Sequence, residues 1–221
     1  MLARALALVF VALPSAASTI VVDASNGPGA NFTDIAPAIA AAQANDVLLV
    51  KIGAYGPFTV DKPLVILALD DNFVSSSALT VQNTALGQRV VVAGVTPLTA
   101  SVTNCAGTVI FQNMTAVLGV TVASSRDVRL DTVRIQPLAS ATPVHALVAT
   151  ASRIELSNSG VLGSLGCDGC SVTSGGNGVV ATNARLHIAG GFITGGRGSS
   201  VMVPSAFAGN GGIGVRLAGT A

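Results

Sequence analysis

Three times in the later half of the chain a short apolar segment is followed six residues on by an alternating one. Val122-Ala-Ser124 precedes Val128-Arg-Leu130, Val148-Ala-Thr150 precedes Ile154-Glu-Leu156, and Val180-Ala-Thr182 precedes Leu186-His-Ile188. The step inside each copy is constant, whereas 26 residues separate Val122 from Val148 and 32 separate Val148 from Val180. A unit of fixed core length joined by connections of variable length is the mark of a solenoid, because each coil stacks its core on the next while its turns reach solvent. A fourth copy opens at Gly214-Val-Arg-Leu217, close to Ala221.

Within each copy the apolar positions are inward and Arg129, Glu155 and His187 hold equivalent outward sites. Short strands with one buried face, stacked in parallel, make a β-helix. Antiparallel sandwich strands would need hairpin turns such as Asn-Gly between them, and none falls at the right spacing. The chain is 50% hydrophobic but only 4% aromatic, without Trp, which suits aligned columns of Val, Ile, Leu and Ala about 4.8 Å apart. The predicted interior comprises Val122, Val128, Leu130, Val148, Ile154, Leu156, Val180, Leu186 and Ile188.

At the N-terminus Arg4 precedes the apolar run Ala5 to Leu13, then Pro14 and the small residues Ser15 to Ser18. This is the layout of a secretory signal peptide over residues 1–18, with cleavage near Ala17 or Ser18. The run is short of the roughly 20 apolar residues of a membrane span. A secreted, extracellular or cell-surface protein is therefore expected, with one β-helix domain over 19–221 that is incomplete at its C-terminal end. Eleven Lys and Arg stand against ten Asp and Glu, so nucleic acid and anionic membranes are not expected partners.

Thr19-Ile-Val-Val-Asp23 reads as a strand. From Thr33 or Asp34, either of them a competent N-cap, Ile35, Ile39 and Ala42 recur at helical spacing to about Asn45. Pro37 falls in the first turn, where its missing N–H costs little. Val47-Leu-Leu-Val-Lys-Ile-Gly53, Phe58-Thr-Val60 and Leu64-Val-Ile-Leu67 follow as strands at short intervals.

The segment Val21-Val-Asp23 through Asn31-Phe-Thr-Asp-Ile-Ala-Pro-Ala-Ile39, with Val47-Leu-Leu-Val-Lys-Ile-Gly-Ala-Tyr55 and Val60-Asp-Lys-Pro-Leu-Val-Ile66, resembles the N-terminal cap and first coil of right-handed parallel β-helix proteins of the pectate-lyase-like superfamily. It looks most like the opening of pectinesterases and of secreted β-helix proteins without assigned activity. The resemblance implies an all-β, right-handed parallel β-helix with one N-terminal capping helix. It also raises a polysaccharide-acting lyase, hydrolase or esterase as the alternative to an inert scaffold. The family's catalytic pattern mostly fails when carried over. Gly107-Thr-Val-Ile-Phe111 has Ile110 where a pectinesterase-like site has a carboxylate. Asp70-Asp71 and Arg134-Ile-Gln136 echo polygalacturonase motifs in the wrong order, and no acidic cluster of the pectate-lyase type lies near a suitable Arg.

Glycoside hydrolysis needs two carboxylates flanking the bond. The candidates are Asp127 and Asp131, beside Arg129 and Arg134, with Gln112 and Gln136 near in sequence. Their structural reading is as turn charges paired with the arginines. Arg126, Arg153 and Arg185 fall within one position of the same place in their coils and form a candidate basic stripe for an acidic polysaccharide. Solvated turn charges are the plainer reading.

Cys167-Asp-Gly-Cys170 has redox or half-zinc spacing, but no second Cys pair follows and His145 and His187 are not at ligand spacing. A small disulfide between Cys167 and Cys170 is expected in an exported protein, leaving Cys105 as a buried apolar side chain. Gly175-Gly-Asn-Gly178 and Gly211-Gly-Ile-Gly214 lack the carboxylate of a calcium repeat, having Val180 or Arg216 instead. Their glycines are expected at turns of positive φ. No metal or cofactor is expected. The favoured function is a non-catalytic extracellular scaffold or binding module for polysaccharide or cell-surface material, self-associating through an uncapped last coil.

Overall fold

The computed structural model describes residues 17–69, 74–140, 142–166, 174–198 and 210–219. The expected signal peptide, Asp70-Asp71, Cys167 and Cys170 lie outside these, apart from Ala17 and Ser18. The fold is a right-handed parallel β-helix. Each strand pairs in parallel with its equivalent one coil away.

Three faces follow from where the inward alternation slips. In Val74–Gln82, Val95–Thr103 and Arg153–Leu162 two consecutive residues turn away from the core, at 77–78, 98–99 and 157–158. A strand with period two must bend there to keep both halves facing inward. The first face stacks Thr19–Val22, Val47–Val50, Val65–Ala68, Arg89–Ala93, Thr108–Gln112, Asp127–Asp131, 153–157 and 185–189. The second runs through Gly53–Tyr55, 74–76, 95–97, Thr115–Ala116, Arg134–Ile135, 159–162 and 191–194. The third holds Phe58–Val60, 79–82, 99–103, Gly119–Ala123, Leu147–Thr150, Val179–Thr182 and Val215–Ala218.

Left-handed residues make two of the corners. Between the third and first faces stand Asn83, Asn104, Ser124, Ala151 and Asn183, and between the first and second Asn113, Thr132 and Asn158, all with φ between 47° and 56°. Asn tolerates this conformation best among residues with a side chain, which explains its recurrence.

Columns of apolar side chains fill the interior. Leu48, Ile66, Val92, Phe111, Leu130 and Leu156 follow one another in register, and Val90, Val109, Val128 and Ile154 form the neighbouring column, all buried. The predicted interior needs two corrections. Val148 and Val180 pair with each other and with Thr121 on the outward side, whereas Val122 aligns with Ala149 and Ala181. Leu186 and Ile188 do point inward, in register with Ile154 and Leu156. Ile188 is nevertheless 45% exposed, because among the described residues no strand pairs with the far side of Arg185–Thr194.

The helix spans Ile35–Ala41 and buries Ile35, Ala38 and Ile39 in the core. Asp34 caps it through Oδ1, which accepts from the Ile35 N–H at 2.7 Å. It stops earlier than the apolar spacing suggests. Gln43 donates its N–H to Asp46 Oδ2, and Lys62 Nζ donates to the Ile39 and Ala42 carbonyls at 3.0 and 3.1 Å. The lysine satisfies carbonyls that the helix end leaves orphaned.

Candidate functional site

Outward residues of the first face form columns just as the inward ones do. Arg129 sits between Ile110 and Glu155, and Glu155 beside His187, as the sequence repeat implies. The flanking columns hold Arg89, Thr108 and Asp127 on one side and Gln112, Asp131 and Ser157 on the other.

Asp127 accepts from Thr108 Oγ1 at 2.9 Å and from Arg129 Nε and an Arg129 terminal nitrogen at 3.3 and 3.2 Å. Partial burial pushes its pKa upward, but the hydrogen bonds from Arg129 and Thr108 outweigh that, with Arg153 adding a weaker pull, so the carboxyl titrates below its ordinary range. Arg129 also approaches Glu155 at 4.0 Å, and Glu155 lies 3.9 Å from His187 Nδ1. Asp131 instead accepts from Ser157 Oγ at 2.9 Å and Gln112 Nε2 at 3.3 Å.

The structure therefore does not gather the four acid–base candidates. Asp127 and Asp131 are four residues apart on one extended strand, about 13 Å at roughly 3.3 Å per residue. Their carboxylates turn to different partners, Asp127 to Thr108 and Arg129, and Asp131 to Ser157 and Gln112. Arg134 lies past the Thr132 corner on the second face, where its Nε donates to Gln136 Oε1 at 3.0 Å. Thr108, Ser157 and Glu155 are the partners not singled out in the sequence. The signal for Thr108 was its place 19 residues before Asp127, the same interval that separates Gln112 from Asp131.

The basic stripe has clearer geometry. The N–H groups of Arg126, Arg153 and Arg185 donate to the carbonyls of Cys105, Ser125 and Ser152, the matching corner residues of the preceding coils. All three arginines line an open groove of about 920 Å³ along the corner between the third and first faces, together with Asp127 and Arg129. Their guanidinium groups are exposed and make no hydrogen bond or ion pair among the described residues.

His145 Nδ1 accepts the Asn177 N–H at 3.0 Å, and Asn177 Oδ1 accepts that of Ile213 at 2.8 Å, so both hold neighbouring coils together. The glycine clusters do the same, and not by positive φ as expected. Gly175, Gly176, Gly178, Gly212 and Gly214 are absent from the left-handed set. A Cβ on Gly176 would collide with the Val144 carbonyl, and one on Gly212 with that of Gly176. These segments carry glycine because backbones of adjacent coils meet there.

No family model matches the sequence, and no curated protein matches it. Among solved structures the chain is similar to a pectin methylesterase bearing one substitution, crystallised with a hexasaccharide. The TM-score is 0.54 at 16% identity, covering 79% of this chain and 67% of that one. At this identity the likeness is one of fold, the right-handed parallel β-helix.

Proposed function

We propose that this right-handed parallel β-helix is a non-catalytic extracellular or cell-surface binding module for polysaccharide or cell-surface material. One contrast carries the reading. The candidate carboxylates Asp127 and Asp131 are each engaged by neighbouring side chains, with their Cα atoms about 13 Å apart along the strand, whereas three arginines of the corner groove make no hydrogen bond or ion pair among the described residues. A fold hosts many functions, and it is the site that argues for one.

Export would proceed through the apolar leader over residues 1–18. Among the described residues no helix is long and apolar enough to cross a membrane. Self-association belongs to the same proposal. Ile188, Phe192 and Leu217 are 45%, 54% and 69% exposed on the last described strands, whose outer edges offer backbone groups for pairing. Sedimentation across a wide concentration range tests this, with concentration-dependent growth expected and a persistent monomer contradicting it.

Cosedimentation with insoluble cell-wall polysaccharide, followed by product analysis of the supernatant, tests the module reading. Retention without product is expected. The rival, a polysaccharide-acting lyase, hydrolase or esterase, draws on the fold likeness and predicts released product.

A further inference from the structure

We infer that the corner groove is a binding site for a tetrahedral oxyanion, a sulfate or phosphate ester, held between Arg153 and Arg185; this rests on the module reading and names its ligand chemistry. Arg153 and Arg185 are direct partners in the parallel ladder, which places their Cα atoms about 4.8 Å apart. Both line the groove, with Arg126 one coil earlier. Like charges set opposite each other in a sheet are destabilising, and among the described residues neither guanidinium has an ion-pair partner to offset this. The acid of the groove, Asp127, is committed to Arg129 and Thr108. Asp127 draws on Arg153 only weakly beside its bonds to Arg129 and Thr108, so one carboxylate faces four arginines in the groove and an excess of positive charge runs across three coils.

The anion's chemistry follows from that arrangement. A carboxylate offers two oxygens in one plane, and a single guanidinium fork takes both. A sulfate or phosphate ester carries three terminal oxygens in a pyramid, enough to accept from forks on two adjacent coils at once. No aromatic ring lines the groove among the described residues, so the stacking platform that nucleic-acid strands use is missing. The occupant is an esterified glycan chain lying along the solenoid axis.

Titration of the purified full chain with dextran sulfate, a phosphorylated dextran and polygalacturonate at matched ionic strength tests the assignment by calorimetry. One or both esters should bind about tenfold more tightly than polygalacturonate, and the better of the two identifies the ester. Arg153→Gln and Arg185→Gln should each remove that preference, and Arg153→Lys, which keeps the charge and loses the fork, should weaken it. Arg197→Gln, an exposed change outside the groove, should leave it intact. Superimposable circular dichroism shows that the exposed substitutions leave the fold in place. Equal affinity for polygalacturonate, or an ester preference unmoved by both Gln variants, overturns the inference. Product formation in the same mixtures would instead overturn the module reading, with the ester preference scored independently.

Discussion

The Cys105 backbone N–H donates to Ser125 Oγ at 3.3 Å, and the Ser125 N–H donates in turn to Ser152 Oγ at 3.0 Å, one coil further on. The two serines donate to the carbonyls two residues behind them, Ala123 at 2.8 Å and Thr150 at 2.7 Å. Cys105 holds the same place, with Sγ 3.4 Å from the Thr103 carbonyl. The residue expected to be a small apolar filler is thus the thiol member of a buried hydroxyl column along one corner, directly beneath the arginine groove.

Ser152→Ala would leave the Ser125 N–H buried without an acceptor, which costs about 1–3 kcal/mol. Cys105→Ser keeps the column's chemistry, since a hydroxyl there can still donate to the Thr103 carbonyl, and should cost less than Ser152→Ala. Denaturant melts of the two variants check this. Equal effects would show that the column contributes nothing beyond packing.

Ala151 occupies the corner position held by Asn104 and Asn183 in neighbouring coils, at φ 47°. A left-handed residue with a Cβ costs about 1–2 kcal/mol unless it is Asn or Asp. Ala151→Asn should therefore raise stability by about 0.5–1 kcal/mol, visible as a higher melting temperature.

In the chain that retains Ser18, Asp46 accepts from the Ser18 and Gln43 N–H groups, each at 2.7 Å, and these bonds, Ser18's first, hold its pKa below the usual carboxylate value. Asp23 is depressed likewise, chiefly by Lys51 at 3.0 Å and then by the Ser25 N–H. A carboxyl with a lowered folded-state pKa contributes stability that is present above its unfolded value of about 3.9 and is lost as pH falls through the folded value. Stability should thus decline below about pH 4, and Asp46→Asn should flatten that decline while destabilising the protein at neutral pH. Parallel slopes for the two proteins between about pH 4 and 2 would exclude Asp46.

Cys105 is buried and free, and the sequence expectation is a Cys167–Cys170 disulfide. Alkylation should label no cysteine in the native protein, Cys105 alone after denaturation, and all three of the chain's cysteines once reductant is added. Labelling of Cys167 and Cys170 without reductant would refute the disulfide.

The inward alternation and the outward column Arg129, Glu155, His187 were legible in the sequence because both repeat with the coil. The register of Val148 and Val180 was not. Valine recurs at matching intervals in the sequence, yet the corner 124–127 carries one more residue than 151–153, and a one-residue slip exchanges the two faces of a strand. Arg134 is close to Asp131 in sequence, three positions on, but left-handed Thr132 between them turns the chain onto another face. The role of the glycine clusters was not legible, since close approach of two backbones from adjacent coils, far apart in sequence, leaves no local signature. The arginine stripe could be read from spacing alone, whereas its lack of acidic partners needed the side chains in place.

A time course of purified protein with pectin, polygalacturonate and alginate, following methanol, reducing ends and unsaturated products together, tests a non-catalytic role most directly. No product above the heat-denatured control is expected at any time, with Asp131→Ala indistinguishable from the native protein. Sustained turnover that Asp131→Ala abolishes would contradict it and establish a polysaccharide-acting enzyme.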